Sequence, residues 1–218
     1  MDTPLSPGRW VDAIRREWRL RHLNDEAYRF LFDPAPADEW ISIACATSGY
    51  DVEHDEILSI SAVRVAGRRV LGSERLDLLL RPSQPVPAAA LRMHRLREQD
   101  LAQGLTAEDA AQRLLQFIGS RPLLGYYLEF DIAMLDRLVR PVIGIGLPND
   151  MIEASSLYYA WEFERLPPYQ QQDNAAIDLR FAAMLAALDL PQRDTPDPLD
   201  KAVLTALAFI KLRELMAG

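Results

Sequence analysis

The feature that most constrains this chain is a change of period at Trp40. Trp40 to Thr47 (WISIACAT) is a nearly continuous apolar run, the pattern of a strand covered on both faces. Ile57 to Val65 then alternates, Ala66-Gly67-Arg68 supplies a turn, and Arg69 to Leu80 alternates again. That spacing predicts three consecutive antiparallel strands. Helical and strand signals follow in alternation. Thr106 and Asp109 form a capping pair opening a helix to Ile118. Pro122–Tyr126 reads as a short buried strand, Glu129–Val139 as a helix, and Asp150–Ile152 as a brief last strand. Ser155–Tyr159 is helical, Asp178 caps a helix to Leu188, and a final helix runs from Pro198 to Leu215. Arg81 to Leu96 reads as a Pro-punctuated loop. Three antiparallel strands followed by alternating helices and strands imply an α/β fold, one mixed sheet with helices packed on it.

Upstream of Trp40 the period is helical. From Arg9 to Phe32, Trp10, Ile14 and Trp18 fall at i, i+4 and i+8 and form one apolar stripe, expected to dock on the domain or a partner subunit. The segment Asp33-Pro-Ala-Pro-Ala-Asp-Glu39 is a connector. The expected organisation is a helical N-terminal extension over 1–37 and a main domain over 38–218.

Charge narrows the function classes. With 24 basic and 32 acidic residues the net charge is −8, and only Lys201 and Lys211 are lysines, so 22 of the basic residues are Arg. Phosphate attraction supplies most non-specific DNA affinity, so a generic DNA-coating protein is excluded. No apolar run approaches the ~20 residues of a membrane span. The N-terminus has no secretory pattern. One cysteine excludes an internal disulfide and a multi-thiolate zinc site, which fits a reducing cytoplasm. His22, His54 and His94 are too dispersed for a local metal motif.

ISIACATSGY followed by DEILSISAVRV resembles the opening of the DEDD-type 3′–5′ exonucleases, in the branch of the bacterial polymerase proofreading subunit. Pro85-Val86-Pro87 through His94 resembles the loop before that family's His-Gly-Ile segment. LLGYYLEFDIAML resembles its second motif, and PDPLDKAVLTALAFIKL its third motif and helix. The resemblance spans about Trp40 to Leu212. It implies a ribonuclease-H-like mixed five-stranded sheet of order 3-2-1-4-5, strand 2 antiparallel to the rest, with helices on both faces. It also implies two-metal phosphodiester hydrolysis, in which four carboxylates cage Mg²⁺ or Mn²⁺ and a His or Tyr activates water.

The motif residues of this chain depart from that pattern. The first-strand carboxylate positions align with Ala44 and Ala46. The second-motif carboxylate is kept as Asp131. The third-motif His position aligns with Pro196 and its carboxylate with Lys201. A methyl group cannot ligate a metal, and an ammonium repels one. At an effective dielectric near 20, opposite charges about 4 Å apart attract by about 4 kcal/mol, an upper-range figure. An Asp131–Lys201 ion pair is therefore expected in place of a metal site, with no metal or other cofactor, or Asp131 as ligand if any.

Asp200 points about 100° away from Lys201 on a helix. Asp197 and Asp200 fit a cap and first turn around Pro198. The acidic turn Asp51–Glu56 is expected to be solvated, and Cys45 to be core. Thr47, Ser48, Gly49, His94, Tyr127 and Phe130 match the family's substrate-binding stretches, and Tyr126 and Tyr127 are placed to stack on a base or to pack the core edge.

Two function classes follow. One is an exonuclease homologue that has lost hydrolysis and acts by binding, with a protein partner or homodimer slightly ahead of single-stranded nucleic acid and no membrane role. The other is a 3′–5′ exonuclease on DNA or RNA with a rearranged metal site, or one silenced by introduced alanines.

Overall fold

The computed structural model describes residues 7–171, 176–192 and 197–217, with side chains from residue 14 onward. At its centre β1 (Glu39–Thr47) pairs antiparallel with β2 (Ile57–Ala66), from Glu39 opposite Ala66 to Thr47 opposite Ile57. Gly67, at φ +57°, turns the chain into β3 (Arg69–Leu79), which pairs antiparallel with β2. The two remaining strands are three residues each and parallel: β4 (Leu123–Gly125) beside β1, and β5 (Met151–Glu153) at the far edge. The order is β3-β2-β1-β4-β5, as the resemblance implies.

Strand alternation sends β1 side chains to opposite faces. Ile41 and Ile43 join a core with Leu114 and Leu115 of α4 (Ala107–Ile118) and with Leu135 and Val139 of α5 (Leu128–Ile143). Ser42 and Ala44 face α8 (Pro198–Ala217) instead. There Ser42 Oγ donates to the Ala202 carbonyl at 2.7 Å, and Ala44 packs with Ala202 and Ala206. Small residues on both partners let α8 lie close to the sheet. The helix is thereby fixed with Lys201 at its first turns, near the C-terminal end of β1. Also on this side are α6 (Ala154–Arg165) and α7 (Phe181–Ala187), whose Tyr158, Met184 and Leu185 pack with Leu204 and Leu212 of α8.

Several expectations need correction. The helix expected over 9–32 is two pieces: α1 (Pro7–Arg21) and a 3₁₀ segment (Glu26–Phe32) capped by Asp25, whose side chain accepts from Ala27 N. Asn24 N donates to the Ile143 carbonyl and breaks the run. Within α1, Ile14 and Trp18 are 64% and 56% exposed, so this face is not docked on the domain; the Trp10 side chain lies outside the described residues. The Pro-punctuated loop contains two short helices, α2 (Ala88–His94) and α3 (Glu98–Ala102), because Ala88-Ala89-Ala90-Leu91 favours helix once Pro87 has set the entry. Asp178 does not cap α7: it pairs with Arg180, the residue at the cap position. The Thr106–Asp109 cap is present, with Asp109 N donating to Thr106 Oγ1 at 3.1 Å. Asp197 caps α8, accepting from Leu199 N at 2.9 Å.

The core carries a direct expectation. Leu114 is fully buried between α4 and the sheet, so Leu114→Ala is expected to destabilise the fold by about 2–5 kcal/mol, read as a lowered urea midpoint at unchanged slope.

Candidate functional site

β4 pairs with β1 only through Leu123 and Leu124, opposite Ile41 and Ser42. Beyond Ser42 this edge of β1 has no neighbouring strand among the described residues, and α5 and α8 converge on it. A cavity of about 470 Å³ opens there. Its floor is Cys45, Asp131 and Lys201, and its aromatic wall is Tyr50, Tyr126, Phe130 and Phe181.

Asp131 sits in the first turn of α5 and is 4% exposed. Lys201 Nζ lies 3.9 Å from Asp131 Oδ2, which is buried and makes no hydrogen bond, and 5.9 Å from the centre of the Tyr126 ring. Burial pushes the Asp131 carboxyl up to about 6; Lys201 and the Cys45 backbone N–H pull it down, and Glu153 pushes it further up. At neutral pH the Asp131 carboxyl is therefore mostly ionised. Burial, with Asp131 adding to it, holds the Cys45 thiol well above its ordinary value, so Cys45 stays protonated. Cys45 packs against the main core cluster, as expected from the sequence, and its half-buried side chain also lines the cavity floor. Tyr126 is also a neutral donor: its hydroxyl donates to the Leu179 carbonyl at 2.6 Å, and burial raises its pKa.

The other expected site residues divide. Thr47, Ser48, Gly49, His94 and Phe130 line the same cavity as Asp131 and Lys201. Thr47 Oγ1 donates to the Gly49 carbonyl, and Ser48 Oγ donates to Asp55 Oδ1, both within 2.7 Å. A Cβ at Gly49 would come within 2.3 Å of Asp55 Oδ2, so any larger residue there would displace the carboxylate that holds Ser48. The acidic turn is solvated at Asp51 and Glu53, as expected, while its half-buried end braces the loop: Asp55 holds Ser48, and Glu56 accepts from Ser83 N and Oγ.

Tyr127 is outside the cavity. It occupies the left-handed region (φ +52°), 58% exposed, and lines a neighbouring groove with Phe130 and Met151. Ala44 and Ala46 are fully buried and absent from the cavity lining. Pro196 lies outside the described residues.

Sequence reasoning missed Glu153. Its carboxylate accepts from the N–H groups of Tyr127 (3.0 Å) and Leu128 (2.7 Å) at the start of α5, and from Ser155 N and Oγ at the start of α6. A Glu two residues before a Ser at a strand end was the available signal, a weak one. Tyr50, Met93 and Phe181 were also missed; the Tyr50 hydroxyl reaches Met93 Sδ at 3.9 Å across the cavity mouth.

Comparison with known proteins fits this architecture. The exonuclease family model RNase_T matches residues 41–161, more than half of the chain. The chain belongs to this exonuclease family, within the DEDD 3′–5′ exonuclease superfamily. A DNA polymerase III subunit epsilon-like protein of Rhodobacter capsulatus is 36% identical over 100 residues, 45% of this chain and 14% of that protein. The DNA polymerase III subunit epsilon of Aquifex aeolicus is 25% identical over 110 residues, 50% of this chain and 54% of the relative. E. coli exonuclease I, solved in complex with a dA16 oligonucleotide, superposes with a TM-score of 0.68 at 12% identity, covering 83% of this chain and 42% of that one. The chain thus spans about half or less of the length of these relatives.

The residues present do not fit a pair of divalent metals. Hard cations need oxygen donors. Among the described residues, the cavity lining around Asp131 offers the Lys201 ammonium and no second carboxylate, and Ala44 and Ala46 beside it present only buried methyls. Among the described residues no three His, Cys, Asp or Glu side chains come together as a metal site.

The raised Asp131 carboxyl predicts a pH signature. Its unfolded value is near 3.9, so between about pH 4 and 6 the folded state keeps a proton the unfolded state has lost. Stability conferred by this group falls as pH rises through that window and is level above it. The stability difference between Asp131→Asn and the parent is expected to move in the variant's favour by about 2–3 kcal/mol from pH 4 to pH 7, read by urea denaturation across that range. In Lys201→Met the Asp131 carboxyl should titrate at higher pH by carbon NMR; an unmoved titration would contradict the contact.

Proposed function

We propose that this chain is an exonuclease-family protein that has lost two-metal phosphodiester hydrolysis and works by binding through the cavity at the end of β1. The observation that carries this reading is Lys201 Nζ at 3.9 Å from Asp131, the one carboxylate there. A positive charge in that place balances the acid directly, whereas a dication beside it would be repelled. No step of hydrolysis is routed through these residues, because neither a metal cage nor a placed base supports it.

The remaining surfaces suit recognition. The aromatic wall of Tyr50, Tyr126, Phe130 and Phe181 offers π faces, and Lys201 offers a cation at its foot. No helix among the described residues is long and apolar enough to cross a membrane. With its single cysteine kept as a thiol, the protein suits a cytoplasmic setting.

The test is a release assay on a 5′-labelled single strand with Mn²⁺ or Mg²⁺. The parent chain should liberate no mononucleotides above a no-protein blank, and Ala44→Asp/Ala46→Glu should stay silent while Lys201 is kept. Adding Lys201→Asp and Pro196→His should produce metal-dependent, EDTA-sensitive release. Metal-dependent hydrolysis by the unaltered chain would overturn the proposal.

A further inference from the structure

β3 is the edge of the sheet opposite β5, and the ladder that joins it to β2 has a definite phase. Leu80 N donates to the Leu58 carbonyl at 3.0 Å, so Leu58/Leu80, Ile60/Leu78 and Ala62/Leu76 are the pairs that exchange bonds. The intervening residues of β3, Arg75, Asp77 and Leu79, turn their N–H and C=O groups away from β2. Leu79 shows the direction, because its carbonyl accepts from Leu105 N at 2.8 Å on the outer side. Among the described residues no hydrogen bond reaches the outward backbone groups of Arg75 or Asp77, and both residues are exposed.

An open strand edge is a template for another strand, and natural sheets blunt it. On β3 the blunting sits at the two ends. Leu105 covers the C-terminal end, at Leu79 and Leu80. At the other end the register slips: Val63 faces Arg75 while Arg64 faces Leu71, so Gly72, Ser73 and Glu74 bulge out of the ladder. What remains uncovered between them is Arg75-Leu76-Asp77, centred on Leu76.

Charge decides what fits this window. Glu74 is bound to Arg64, and Asp77 accepts from Ser61 Oγ at 2.7 Å. Arg75 has no carboxylate partner in its own chain among the described residues. A second copy laid antiparallel, with the two-fold axis at Leu76, sets Arg75 opposite the partner's Asp77, and Asp77 opposite the partner's Arg75. Both become hydrogen-bonded pairs, with four N–H···O=C bonds across the axis. Moving the axis to Arg75 or to Asp77 would place like charges directly opposite, which is unfavourable. Leu76, half-buried against the main core, meets the partner's Leu76 at a Cα separation of about 4.5 Å, on the face away from Arg75 and Asp77. The ladder ends at both sides for one reason: the partner's Ser73, which bulges, falls opposite Leu79, which Leu105 already holds.

We infer that two copies of this chain associate edge to edge through β3, forming one sheet across a two-fold axis at Leu76. The exposed charges fix the register, while the backbone bonds and the Leu76 contact hold the strands together. This interface lies at the other edge of the sheet from the cavity. It stands or falls separately from the proposed loss of hydrolysis: one is read by self-association, the other by product release.

The experiment is sedimentation velocity of the whole chain over a concentration series. The parent should pass from monomer to dimer as concentration rises. Arg75→Asp sets two like-charged pairs across the axis and should weaken association by at least roughly tenfold. Arg75→Asp/Asp77→Arg exchanges the signs, restores both pairs and should recover most of that loss. Because Asp77 also holds Ser61, Arg75→Pro gives an independent reading. The Arg75 N–H has no partner in its own chain, so proline leaves the β2–β3 ladder whole. It should abolish the dimer at an unchanged urea midpoint. Leu76→Cys should give a disulfide-linked dimer on mild oxidation, and Ser73→Cys, opposite Leu79, should not. A parent that stays monomeric throughout overturns the proposal and leaves the edge to a strand of another protein. So does parent-like association of Arg75→Pro, an exchange protein no stronger than Arg75→Asp, or equal cross-linking from positions 73 and 76.

Discussion

Everything at the site depends on where β4 stops. A three-residue strand covers only Ile41 and Ser42 of its neighbour, and the rest of that edge of β1 must find other company. Backbone N–H groups left unpaired in an interior are costly, and the Cys45 N–H meets the Asp131 carboxylate brought in by α5. The same gap admits Lys201 from α8. A longer β4 would close the edge and leave no cavity. The site is thus the place where a parallel sheet ends early between two helices, the general setting for ligands in α/β folds.

Within that gap the charges are of opposite sign, Asp131 against Lys201. A cage for two dications is a cluster of acids that repel one another until metal arrives. Here Ala44 packs with Ala202 and Ala206, which ties α8 to the sheet by apolar contact. Asp131 and Lys201 then satisfy each other at 3.9 Å with no added ion. Removing Lys201 leaves Asp131 an isolated buried charge, whereas Lys201 itself keeps a third of its side chain in solvent.

Much of the fold was legible because its signals are local and periodic. The apolar run of β1, the alternation of β2 and β3 and the Thr106 cap each state their structure within a few residues. Where signals competed, the reading went astray. Prolines at 82, 85 and 87 hid the helix that Ala88 to His94 forms, and an acid placed before α7 looked like a cap although Arg180 claims it. The site was legible only in part. The contact between Asp131 and Lys201, seventy positions apart, came from motif order and not from spacing. The outward posture of Tyr127 depends on a backbone angle that no composition reports, and the part played by Glu153 depends on the three-dimensional meeting of two helix starts.

That meeting has a mechanical consequence. One carboxylate terminates both α5 and α6, so the two helices share a single fastening at the sheet edge. Neither can slide along its axis without loosening the other. The helix that carries Asp131 into the gap therefore starts from the same carboxylate as the helix of the opposite layer.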